Sequence, residues 1–183
     1  MHTHLTVVFQ RLDAQRAALR SAVDRVPAAR RRERPASEKW SVAEVLEHLV
    51  LVERRFTDWL GNAIAEACAR GLDAEREGRA PLSAEVEALQ RDRSKPRTAP
   101  PPVMPKGEMD DQAAWDALER ARAGLRATVT DADGLALSQV TVSHPTFGVL
   151  SVYQWVEFVA VHEGRHTAQI EEIAGQLRSR AAV

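Results

Sequence analysis

Apolar residues recur at three- and four-residue steps over four long stretches of the chain, the spacing that gathers them on one face of a helix. Leu5, Val8, Leu12, Leu19, Val23 and Val26 form the first stripe, which Pro27 closes. The second opens at Ser41-Val42-Ala43-Glu44, where a serine hydroxyl and a glutamate three residues on can cap each other's amides. It carries Val45, His48, Leu49, Val52, Phe56, Trp59 and Leu60 and runs to about Ala69, with Gly71 as its stop. The third follows a cap at Asp110 or Asp111, places Trp115, Leu118, Leu125 and Val129 inward, and ends before Gly134. Ser151-Val152-Tyr153-Gln154 is a second capping box. The helix it opens turns Trp155, Val159, His162, His166, Ile173 and Leu177 to one side and ends near Arg178.

Between the stripes the period is lost. Residues 27–40 are rich in Arg, Glu and Pro and read as a connection. The stretch from Gly71 to Asp110 holds most of the prolines and is long for a loop inside a compact domain. Its length suits a third helix parallel to the second, because the chain must then travel back the whole length of a bundle. A short helix over Ser83 to Arg91 fits within it. Residues 140–150 are β-prone but broken by Pro145 and Gly148, which predicts a short extended piece or a packed loop. No strand pair and no internal repeat stands out. The expected architecture is all-α: one four-helix bundle domain spanning 1–183, with its long connector at 71–110.

Composition narrows the function classes. A chain of 183 residues can bury about 70% of its unfolded surface in a single core. Its 25 Lys+Arg against 26 Asp+Glu leave a net charge of −1, which offers no footprint for nucleic acid or an anionic membrane. Arg30-Arg31-Arg32 reads as solvated surface. Cys68 is the only cysteine, so no intramolecular disulfide can form; that suits a reducing, cytoplasmic setting, and a buried or half-buried place late in the second helix is expected for it. No signal-peptide run follows Met1 and no stretch approaches 18 apolar residues. His2 and His4 are expected in a loose terminus.

His162 and His166 lie one turn apart, about 6 Å along the helix axis, with their imidazoles on the same face. In an apolar stripe each needs a partner. Two readings satisfy that need: hydrogen bonds within the core, or one divalent metal shared by both rings. His48 adds a third inward imidazole from the second helix. Three neutral imidazoles would leave a metal with an open position, as catalytic sites require. Glu47 and Glu163 are rotated by about 100° from the ligand face and are expected toward solvent or behind the ligands. Gln169, near one turn beyond His166, could orient an imidazole or a bound water, or simply edge the stripe. His144 could line the mouth of a pocket, although His144-Pro145 is equally a turn signature.

Three blocks together resemble the DinB-like superfamily of bacterial metal-binding four-helix bundles. They are Trp40-Ser41-Val42-Ala43-Glu44-Val45-Leu46-Glu47-His48-Leu49, then His144-Pro145 with Phe147-Gly148, then His162-Glu163-Gly164-Arg165-His166 with Gln169-Ile170. The 71–110 connector has no match in that pattern. The resemblance implies an up-down-down-up bundle, a metal triad of His48, His162 and His166 taking zinc, nickel or iron, and homodimers. Imidazole suits all three metals, so ligand softness does not choose among them. Relatives of this kind include transferases and isomerases that use small bacterial thiols, and the family does not fix one reaction. Three functions follow as expectations: a small-thiol-dependent S-transferase acting on a small electrophile, a metal-dependent hydrolase, or a non-catalytic metal or small-ligand binding module. A cosubstrate would supply the thiol, since Cys68 falls at the far end of its helix.

Overall fold

The computed structural model describes residues 1–76, 78–94 and 97–181. Four long helices carry the four predicted stripes: α1 over Thr3–Asp24, α2 over Val42–Ala69, α4 over Asp111–Thr130 and α5 over Val152–Ala181. A short α3 occupies Ala84–Arg91, inside the connector. Both capping boxes form. The Ser41 hydroxyl accepts from the Glu44 amide at 3.2 Å while the Glu44 carboxylate takes the Ser41 amide at 2.8 Å. The Gln154 side chain accepts from the Ser151 amide at 2.9 Å, and Ser151 Oγ accepts from the Gln154 amide at 3.3 Å. Asp110, not Asp111, caps α4, taking the Ala113 amide at 2.7 Å. Gly71 ends α2 with φ +82°, a conformation that only glycine adopts without strain.

Helix directions follow from which residues share each half of the core. At one end late α1 (Leu19, Val23) meets early α2 (Val42, Leu46), early α4 (Ala114, Leu118) and late α5 (Ile170, Leu177). At the other end early α1 (Leu5, Leu12) meets late α2 (Leu60, Ile64), late α4 (Leu125, Val129) and early α5 (Trp155, Phe158). Helices α1 and α5 therefore run one way and α2 and α4 the other, the up-down-down-up order. The 71–110 connector exists because α2 and α4 are parallel neighbours. It is pinned as it returns. The buried Glu157 carboxylate takes the Leu82 amide at 2.5 Å, and Arg165 of α5 donates to Gln90 O at the end of α3 at 3.2 Å.

Four expectations need correction. Residues 140–150 do form a strand pair, β1 over Thr141–His144 and β2 over Gly148–Ser151, antiparallel with Thr141 opposite Ser151. Gly148 makes the return possible with φ +77°, and Trp155 Nε1 donates to Val142 O at 3.0 Å, tying the hairpin to α5. Helix α5 continues to Ala181, past Arg178. The N-terminus is not loose: the His2 amide donates to both Asp133 carboxylate oxygens at 2.8 and 3.0 Å, and α1 starts directly afterwards. Cys68 is exposed, because it falls on the solvent side of α2 between buried Ile64 and Ala67 and the helix end. No helix among the described residues is long and apolar enough to cross a membrane.

Candidate metal centre

Helix α2 presents His48 and helix α5 presents His162 and His166 to one point between them. One ring nitrogen from each histidine lies within 4.8 Å of the others. The ring centroids are 5.5 Å apart for His48 and His162, 4.8 Å for His48 and His166, and 4.7 Å for His162 and His166. A tetrahedral ion at ~2.0–2.1 Å from each nitrogen needs ~3.3 Å between nitrogens. The nitrogens would have to close by up to ~1.5 Å to bind it. Among the described residues no other group of histidine, cysteine, aspartate or glutamate comes together in this way, and no fourth such side chain joins the three.

Two of the three rings have their second nitrogen engaged. His48 Nδ1 lies 2.7 Å from the carbonyl oxygen of Val103, in the connector. That oxygen only accepts, so Nδ1 carries the proton and Nε2 is left with its lone pair. His166 Nδ1 lies 2.8 Å from Gln169 Oε1, and with that oxygen turned to the ring Nδ1 carries the proton here as well. A hydrogen bond on the far nitrogen that fixes the tautomer is the support metal-binding imidazoles ordinarily have. The donor set therefore fits a divalent ion.

Burial keeps the rings neutral. It pushes His48 below its ordinary value, and the Val103 bond offsets this only in part. His166 is driven well below by burial and by the neighbouring His48. His162 retains part of its surface, but burial dominates there too, with His166 and His48 adding to the downward shift. An imidazole must be deprotonated to bind metal, so the fold has already met that condition.

Aromatic rings wall the triad. Trp40 covers it on one side, 5.0 Å from the His48 ring and stacked at 6.4 Å over His166. On the other side Phe158 stacks at 6.3 Å on His162 and Phe56 stands edge-on to it at 6.4 Å. His144 is outside the triad. It packs 4.7 Å from Phe158 and 5.3 Å from Trp155, and its Nδ1 accepts the Thr146 and Phe147 amides at 3.0 and 3.2 Å. It thus closes the hairpin turn, half-buried beyond the Phe158 layer, and burial with the nearby Arg97 pushes its pKa down to about 4.

The flanking carboxylates do not face solvent. Glu47 is buried and accepts the Lys106 and Gly107 amides at 3.1 and 2.8 Å, so it anchors the connector beside the triad. Glu163 is buried in a cluster that sequence reasoning did not find. Arg16 of α1 bonds Glu53 at 3.2 Å and Glu163 at 3.0 Å through Nη2. Arg122 of α4 bonds Glu53 at 2.5 Å through Nε and Glu163 at 2.8 Å through Nη2. All four residues are buried and balance two cations against two anions, while Arg16 reaches outward through Nη1 to the exposed Glu119 at 2.7 Å. A signal was present: Arg16 and Arg122 sit on the apolar stripes of their helices, where an unpaired guanidinium would be prohibitive. Cys68 lies twenty residues beyond His48 on α2, or ~30 Å along the axis, so it takes no part in the centre.

Comparison with known proteins bears on the family and the fold. The sequence model of the DinB superfamily matches residues 11–170. The uncharacterized protein YuaE of Bacillus subtilis is 28% identical over 142 residues, covering 77% of this chain and 81% of its own. Among solved structures, the four-helix bundle protein TT2238 superposes with a TM-score of 0.59 at 23% identity, over 92% of this chain and 98% of that one. At that identity the likeness bears on the fold alone.

Proposed function

This chain belongs to the DinB superfamily, and on that premise we propose that His48, His162 and His166 hold a divalent metal ion at which a small thiol is activated for transfer to an electrophile. The observation that carries the reading is the pairing of converging nitrogens with occupied far nitrogens. Val103 O and Gln169 Oε1 hold two imidazoles in the tautomer that turns a lone pair inward. A buried imidazole needs a hydrogen-bond partner in any case, but a ligand-free core would not need one nitrogen of each of three rings to converge.

A divalent ion in such a site lowers the pKa of a thiol or water bound to it toward neutrality. The chain's own residues supply the rest. Three neutral ligands leave the ion's positive charge uncompensated, which favours an anionic partner such as a thiolate. Trp40, Phe56 and Phe158 keep the surroundings apolar, and that strengthens every charge interaction at the centre. The exposed Cys68 cannot reach, so the thiol belongs to a cosubstrate.

The test is substitution with cobalt, followed by titration with low-molecular-weight thiols such as glutathione, mycothiol or bacillithiol. A change in the visible spectrum with one of them, and its conjugation to a small electrophile, is the expected result. Ester or amide hydrolysis without any thiol would replace the transferase with a hydrolase. A chain that takes up no zinc, nickel or iron would end the metal reading altogether.

A further inference from the structure

The three imidazoles differ in how their far sides are held. His48 leans on a main-chain carbonyl and His166 on an amide side chain. No side chain or carbonyl of the described residues hydrogen-bonds the His162 ring. Its surroundings include instead a small cavity between α2 and α5, about large enough for one water molecule. Val52, Phe56 and Val159 give the cavity apolar walls, while His162, Glu53 and Glu163 give it a polar one. An apolar void of this size would stay dry, but one water fits such a volume where two to four polar partners line it.

We infer that Glu53 and Glu163 are positioning residues that orient His162 through a single water held in this cavity; the inference rests on the reading of the triad as a metal site. The polarity permits one arrangement. Both carboxylates are bound by Arg16 and Arg122, and as anions they only accept hydrogen bonds. A water between them and His162 gives one hydrogen to Glu53 and the other to Glu163, so that only a lone pair is left for the ring. The ring nitrogen on the cavity side must then carry the proton, which leaves the other nitrogen free for the centre. His162 thereby gains what Val103 O gives His48 and Gln169 gives His166. It is also tied, through the two arginines, to α1 and α4, so that all four bundle helices contribute to holding the site.

Two variants and one spectroscopic readout test this. Val159→Ile fills the cavity with a methyl group and leaves all four buried charges in place, whereas Glu53→Gln keeps the cavity and changes a partner of the water. Zinc affinity, measured by chelator competition, should fall by about tenfold or more in each, within the ~10–100-fold range of such outer contacts. Long-range ¹H–¹⁵N spectra of the wild type should show His162 as one tautomer, in metal-free and zinc-loaded protein alike. In both variants that signal should become a tautomer mixture while His48 and His166 keep Nδ1–H. A merely structural role would lower the melting temperature and leave the His162 tautomer alone. Should Glu53→Gln fail to fold, Val159→Ile decides by itself. A folded Val159→Ile protein with unchanged tautomer and zinc affinity overturns the inference. If the wild type binds no zinc, the metal reading fails, and the tautomer comparison still decides for or against the water.

Discussion

Gln169 Oε1 stands 2.8 Å from His166 Nδ1, three residues away on the same helix. A glutamine amide can either donate or accept, but here the ring must donate if its other nitrogen is to bind metal. Gln169→Leu keeps the side-chain volume and removes the acceptor. We predict a ~10–100-fold loss of zinc affinity with an unchanged circular dichroism spectrum, since Gln169 is only half-buried. Equal affinity, measured by chelator competition, would show that the bond is incidental.

His48→Ala is expected to abolish tight metal binding and leave a folded bundle. The two core clusters are built from Leu, Val, Ile, Ala and aromatic residues and do not depend on the triad. Elemental analysis and thermal melting of the same sample separate the two effects. Loss of helicity in the metal-free variant would make the ion a structural one.

Stability of the metal-free protein should depend on pH in a defined direction. Burial holds His48, His162 and His166 below the ordinary histidine value, so the unfolded chain binds protons there that the folded chain refuses. Their contribution is complete above pH ~6.5 and declines as pH falls, by up to ~1.4 kcal/mol per pH unit for each histidine. Urea midpoints between pH ~7.5 and ~5.5 should drop accordingly, and less steeply in His48→Ala. A flat profile would mean that the folded rings take up protons as readily as those of the unfolded chain.

The four-charge cluster predicts a contrast between single and double substitutions. Arg122→Leu leaves Glu53 and Glu163 to share Arg16, an uncompensated buried charge that should cost ~3–5 kcal/mol. Adding Glu53→Leu restores neutrality and should recover part of the loss. Urea unfolding of both proteins measures the difference. A double variant less stable than the sum of its parts would contradict the pairing.

Cys68→Ser should change neither zinc content nor stability by more than ~0.5 kcal/mol, as expected for an exposed site away from any special feature. A lost metal or a lost activity would bring a thiol of the chain back into the mechanism.

The helices and their directions could be read in the sequence because their signals are local or additive. Ser41 with Glu44 and Ser151 with Gln154 are short-range caps, and the stripes repeat over many turns. The meeting of the three histidines was legible for the same reason: His162 and His166 share a helix face, and His48 sits in a stripe of its own. What could not be read depends on register between helices. Arg16 and Glu53 lie 37 residues apart and Arg122 and Glu163 lie 41 apart, and nothing in either segment says which partner it will meet. The β1–β2 pair was missed because four-residue strands owe their stability to the bundle beneath them, through Trp155 and Leu150, more than to their own alternation. The buried or half-buried place expected for Cys68 follows its residue type, whereas one position around the helix decides.

The partner of His48 has a further consequence. Val103 serves through its main-chain oxygen, which every amino acid possesses. Selection can therefore act on the path of the connector without acting on the letter at position 103. Relatives could replace that residue freely and still hold the ring, while an insertion or deletion nearby would release it. A ligand supported in this way leaves no imprint in a column of aligned residues, only in the length and course of a loop.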